Sequence, residues 1–400
     1  MVVCACASEP SLPCATDVTD APAPAAATCR DQCGGDDAPA CPDTCGTPLE
    51  LEWSVTLSTG SCVRSPVLAA DVPGWIVVGG TAEHVDGDQA WTAGVDAEGC
   101  ALWEDRDGEG RPLARFSMVR AVVGRADVGY YTVGVEGGGQ DFDRLGTPWV
   151  RRYLPNQDVA WTWRESTAMP QTLSGVAVTP EGGALVAGGA QTTIDARGVL
   201  RRFTDDGEVS DAWWLGDALD SQFVDVVVSD SGRTWASLRL RDGSTHNGGF
   251  GEVVARSFQW LGADDAAGEI TRLALAADDS IVAIQIPYPG ARELYVSRWA
   301  ATGERLWATQ GAGYDRVYPR RVTALADGRT VVVGDGWDPQ ANRSEPIVLV
   351  FTSAGSLTSI QALPDLEGGH ASDVAEAPDG AVYLTGLTEV CDVWVARVRG

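Results

Sequence analysis

The chain has 400 residues, 44% hydrophobic and 21% charged, enough to bury a large core. Its formal net charge is −27, and all 29 basic residues are arginine. So acidic a surface repels nucleic acid and anionic membrane faces, which argues against both as partners.

Residues 1–48 are rich in Ala, Pro, Asp and Cys, with seven of the ten cysteines and no helical or strand periodicity. That composition predicts an irregular tail tied by disulfides. The spacing Cys29-x3-Cys33-x7-Cys41-x3-Cys45 is not the usual C-x2-C of thiolate metal sites, and no His lies nearby. Val3-Cys4-Ala5-Cys6 resembles the lipobox of bacterial lipoproteins. The resemblance implies a lipid on Cys6, an extracytoplasmic location (cell envelope or secreted), and membrane contact only through that anchor. With Cys4 and Cys6 set aside, eight cysteines remain, an even number suited to a disulfide framework.

From Leu51 onward the pattern changes to short alternating strands separated by Gly, Asp and Pro turns. Aligned on Gly79, Gly134, Gly188, Ser237, Gln285, Gly334 and Gly386, the sequence resolves into seven units of 48–55 residues. Each unit has room for four strands, A to D. Strand A is apolar, as at Val176–Val178 and Val322–Leu325. Turns such as Ser229-Asp230-Ser231-Gly232 and Pro378-Asp379-Gly380 follow, where Gly supplies positive φ. Strand B is β-branched or aromatic, as at Tyr130–Val133 and Val382–Thr385. Strand C often carries Arg beside an aromatic (Arg152, Arg202, Arg298, more loosely Arg256 and Arg397), and strand D usually holds Trp: Trp103, Trp161, Trp213, Trp260 and Trp307. Packing between units is the expected role of both residue types.

The last unit ends after its C strand, whereas Leu51–Leu57 reads as a D strand ahead of the first A strand. The expected fold is therefore all-β: a seven-bladed β-propeller over residues 49–400, closed by an N-terminal strand and preceded by the Cys-rich tail. The topology sets Cys62, after that strand, against Cys391 at the start of the last C strand, and a disulfide there would fasten the ring. Cys100 would then find its partner in the tail, at Cys45.

Ser372-Asp373-Val374, Asp379–Gly386 and Val395-Ala396-Arg397 resemble bacterial β-propeller repeats of the delta-60 and SBBP type. Gly99-x3-Trp103 and Thr302-Gly303-Glu304-x2-Trp307 are similar to quinoprotein-type blades, in degraded form. The resemblance implies a propeller outside the cytoplasm and says little about activity.

No G-x-S-x-G, H-E-x-x-H or P-loop pattern occurs, and the three histidines sit in no catalytic motif. Catalytic residues are therefore none from sequence. Asp86-Gly87-Asp88 and Asp105-Arg106-Asp107-Gly108-Glu109 offer oxygen donors but no complete calcium loop, so no cofactor is expected and calcium is the weak alternative. The B–C loops read as long and polar over 81–90, 136–148, 241–251 and 335–345. Loops on a rigid scaffold carry binding, which nominates His84, Asp141, Asp143, His246, Trp337 and Asp338. The functional expectation is a monomeric binding or scaffold protein for a protein or glycan ligand. The alternatives are an enzyme with its site at the axial mouth, or an envelope-assembly lipoprotein.

Overall fold

The computed structural model describes Thr16–Asp17 and residues 49–399, apart from 59, 84–86, 108–116, 138–145, 166–170, 192–195, 216–219, 243–244, 263–268, 287–293, 311–316, 339–342 and 364–368. The chain forms the expected all-β ring of seven blades, each an antiparallel sheet of strands A to D counted outward from the axis. Blade 1 spans Val63–Asp107, blade 2 Ser117–Arg164, blade 3 Gln171–Trp214, blade 4 Asp220–Gly262, blade 5 Glu269–Gln310 and blade 6 Val317–Ala362. Blade 7 takes three strands from His370–Arg399 and its fourth from Glu50–Leu57, which pairs antiparallel with Val393–Arg399. Among the described residues, no helix is long and apolar enough to cross a membrane.

Alternation explains the packing. Blades stand radially, so both faces of every sheet meet a neighbour, and apolar clusters form at the seams. Radial repetition leaves only short edges, the inner ones turned toward the axis where the ring protects them. Cys62 and Cys391 are joined by a disulfide, Cα atoms 4.7 Å apart, and Val63 N–H donates to Cys391 O at 3.0 Å beside it. Cys45, the expected partner of Cys100, lies outside the described residues, as does Cys6.

Each inner strand carries a register shift at the same height. The strand-B glycine beside it lets backbones close in: a Cβ on Gly134, Gly188, Gly334 or Gly386 would overlap the carbonyl oxygen of Met118, Thr172, Tyr318 or His370. That is the physical content of the repeat's small anchor residue.

Three expectations are corrected. Thr16–Asp17, in the tail read as irregular, pairs with Trp53 and Ser54 on the outer edge of blade 7. The loops expected over 241–251 and 335–345 are mostly ladder. Strands Thr234–Asp242 and Thr245–Val254 pair out to Asp242 and Thr245, and Thr330–Asp338 and Arg343–Phe351 out to Asp338 and Arg343. Gly248, Gly249 and Gly251 made the first look like loop, but a ladder needs only backbone donors and acceptors. Arg256, taken as a strand-C arginine, lies in the turn after that strand. Glu252, opposite Gln259, holds the register that Arg202 holds opposite Asp211.

Candidate functional site

Up-and-down topology puts the B–C and D–A connections on one face and the A–B and C–D turns on the other. The turn face is compact: four-residue backbone brackets such as Gly182 N–H to Thr179 O at 2.9 Å recur around it. Of the sequence-predicted site residues, His246, Trp337 and Asp338 fall on strands that run to the loop face. His84, Asp141 and Asp143 lie outside the described residues. His246 sits in a strand opposite Arg241, Trp337 opposite Ser344, and Asp338 opposite Arg343, so these three stand on ladders rather than on free loops. Two of the aspartates weighed for calcium, Asp105 and Asp88, lie beside arginines. Asp105 Oδ2 accepts from Arg151 Nη1 at 2.6 Å and Tyr153 OH at 2.9 Å, while Asp88 Oδ2 lies 3.9 Å from Arg64 Nη1. Among the described residues no three of His, Cys, Asp and Glu gather as a metal-binding group.

At the axis the structure assembles residues that the sequence reading passed over. The first position after the register shift is Val67, Ala121 and Gly175 in blades 1–3, but Asp225, Arg272, Arg321 and Asp373 in blades 4–7. Arg321 bridges two carboxylates, Nε to Asp373 Oδ1 at 3.1 Å and Nη1 to Asp225 Oδ2 at 3.3 Å. Both aspartates are buried, at 2% and 3% exposure. Each also staples its blade to the next: Asp225 Oδ2 accepts Leu273 N–H at 3.2 Å, and Asp373 Oδ2 accepts Leu68 N–H at 2.8 Å. Buried charges survive only when paired and hydrogen-bonded, and these are both.

Burial raises the Asp373 carboxyl above the usual range even with Arg321 beside it. Burial, then repulsion from Arg321, lowers Arg272. For Arg321 burial opposes the charge, but Asp373 and Asp225 outweigh it and raise the guanidinium. On the turn side of this cluster is a cavity of about 420 Å³ walled by residues such as Ala69, Val123, Val178, Leu275 and Ala324. Asp71 stands at its edge, with Oδ2 accepting Gly124 N–H at 3.2 Å. Burial pushes the Asp71 carboxyl up to about 6, against the Gly124 amide and helped by Asp373.

A second constellation joins blades 6 and 7 near the loop face. Asp335, 2% exposed, faces Arg320 with one oxygen (Nη2 at 3.1 Å) and His370 Nδ1 with the other at 3.3 Å. The hydrogen bond to Asp335 raises the imidazole, partly countered by burial and by Arg320. The axial cluster carried a sequence signal, charged residues at one height in the inner strands of adjacent repeats, whereas this constellation joins a B strand to two inner strands at different heights. Chemically, both constellations hold charge in fixed positions.

This geometry defines a seven-bladed β-propeller with an ion-paired axis and its longer connections on one face. No protein-family model and no curated protein matches the chain. Solved structures do resemble it in fold. Sqt1 of Chaetomium thermophilum, bound to the N-terminus of ribosomal protein L10, is 13% identical with a TM-score of 0.50, over 84% of this chain and 96% of that one. A puromycin hydrolase S511A mutant in complex with PGG is 16% identical with a TM-score of 0.51, over 83% of this chain and 51% of that one. A protein of unknown function from Dyadobacter fermentans is 10% identical with a TM-score of 0.49, over 88% and 99% of the two chains.

Proposed function

We propose that this chain is an exported binding or scaffold propeller of the delta-60/SBBP kind, which takes a protein partner on its B–C and D–A loop face and is tethered by lipid on Cys6. The observation that carries the reading is the division of labour between the faces: a ring locked by Arg321 at its axis and by Cys62–Cys391 at its seam presents its longer connections on one side. A rigid scaffold holding variable loops is the usual physical basis of recognition. The disulfide supports an oxidising compartment, and Sqt1, which shares the fold, is bound to a segment of another protein. The axial Asp and Arg groups spend their hydrogen bonds on one another and on blade amides, which favours a structural role for them over catalysis. The ring acts as a monomer in this reading and calls for no cofactor.

The test replaces residues 138–145 and 339–342 with two-residue Asn-Gly turns and measures affinity for the partner isolated from native envelope with the intact chain. Loss of binding by a variant with unchanged thermal melting supports the loop face. Undiminished affinity rejects it.

A further inference from the structure

Three seams of the ring are docked alike. The indole of a D-strand tryptophan donates to a carbonyl in the C–D turn of the next blade: Trp53 to Ala97 O at 3.0 Å, Trp161 to Asp205 O at 2.9 Å, Trp307 to Ser353 O at 2.9 Å. Each of these residues stands opposite a strand-C arginine, namely Arg397, Arg152 and Arg298. Two of those arginines reach the same turn, Arg152 to Asp205 O at 2.5 Å and Arg397 to Ala97 O at 3.3 Å. The turn carries a positive-φ glycine on which the ring lies, so a Cβ on Gly207 or Gly355 would run into Trp161 or Trp307.

The seam between blades 3 and 4 lacks both halves of this dock. The residue opposite Arg202 is Asp211, not tryptophan, and Trp213 is two residues further on, opposite Leu200. The facing turn of blade 4 is the short link through Ala255 and Arg256, where Val254 pairs directly with Ser257. Asp211 and Arg256 form an ion pair at 2.5 Å across the gap. What remains is a groove of about 540 Å³ with an apolar floor of Leu185, Leu200 and Val253 and a wall of Trp213. Arg202, at its edge, lacks the turn oxygen that Arg152 and Arg397 bind. Among the described residues its ion-pair partner is Glu181 at 3.6 Å, beyond hydrogen-bond reach.

We propose that this groove binds a small aromatic carboxylate, the ring lying where other seams hold an indole and the carboxylate replacing the missing turn oxygen on Arg202. The volume suits one such molecule, since ligand pockets run from roughly 300 to 1,000 Å³. The apolar floor contributes ring burial, and a guanidinium pairs a carboxylate through two parallel N–H bonds. Glu181 is mostly exposed and can yield Arg202 to a ligand anion. The site lies on the outer turn side, away from the loop face, so it stands or falls independently of the partner reading.

The probes are N-acetyl-L-tryptophan, its neutral amide, and N-acetylglycine, titrated calorimetrically into the full chain at low salt. A ligand of this size at ordinary efficiency binds with Kd on the order of 0.1–1 mM. The acid binds in that range, the amide about 10-fold or more weakly, and N-acetylglycine not detectably, because a charge-assisted bond is worth roughly 10-fold or more in affinity. Arg202→Gln brings the acid down to the affinity of the amide. A rebuilt seam, with Asp211→Trp and the turn at 255–256 exchanged for the sequence of residues 204–208, abolishes binding while raising the melting temperature. Absence of binding to the wild type at about 10 mM acid, equal affinity for acid and amide, or Arg202→Gln binding like the wild type would each overturn the proposal.

Discussion

Asp71 offers the sharpest test of the electrostatics at the axis. Its carboxyl is held at about 6 in the folded ring, against 3.8 for the free side chain. An acid with a raised folded value holds its proton more tightly when folded. It therefore contributes stability in full below pH 3.8, and that contribution is lost as pH rises through about 6. At about 1.36 kcal/mol per unit, the loss amounts to about 3 kcal/mol at neutral pH. Asp71→Asn imitates the protonated form and keeps an oxygen for the Gly124 amide, 3.2 Å away in the wild type. Urea unfolding of both proteins from pH 3.5 to 8 gives the difference directly, and other carboxylates cancel in it. The variant matches the wild type at the acid end and gains about 3 kcal/mol by pH 7, most of it between pH 4 and 6. Two parallel profiles, with a constant offset, would refute desolvation of Asp71 as the cause.

Arg321→Met leaves Asp225 and Asp373 buried without their shared cation and destabilises the ring by about 3–5 kcal/mol near neutral pH, with partial recovery in acid, read by the same urea titration. Cys62→Ser with Cys391→Ser removes a cross-link spanning 329 residues of sequence and lowers stability by about 2–5 kcal/mol, measured against the oxidised wild type. Gly188→Ala drives a methyl into Thr172 O and should lower the melting temperature severely, whereas the same change at Gly137, where a Cβ meets nothing, costs only the strain of its positive φ, about 1 kcal/mol. An NMR titration should place His370 above 6.5, and Asp335→Asn should return it toward that value. Stability from this pair is complete below pH 6.5 and is lost as pH rises through the folded value.

Much of the architecture was legible because it repeats. Asp379-Gly380 and its counterparts announce hairpins, the anchors space the blades, and Leu51–Leu57 supplies the strand that the last unit lacks. Some failures arise because residue counting does not see the register shift. Gly79 and Ser237 sit one step from the position of Gly134 and Gly188, opposite Val67 and Asp225 after the shift rather than before it. Residue type misled at Trp213, which passed for a counterpart of Trp161 although Asp211 holds that register. The axial charges were visible as Asp225, Arg272, Arg321 and Asp373 within apolar strands, but only the ring brings residues 148 positions apart, such as Asp225 and Asp373, onto one arginine. Glycine misled in the other direction: Gly248 and Gly249 read as loop, yet pair with Arg239 and Leu238.

The claim that the ring is a scaffold and its loop face the instrument is tested most directly by hydrogen exchange of the full chain, with and without its isolated partner. The account predicts new protection in the B–C and D–A connections, around residues 138–145, 243–244 and 339–342, with the A–B and C–D turns unchanged. Protection gathered instead on the turns at 179–183, 229–233 and 326–329 would contradict it.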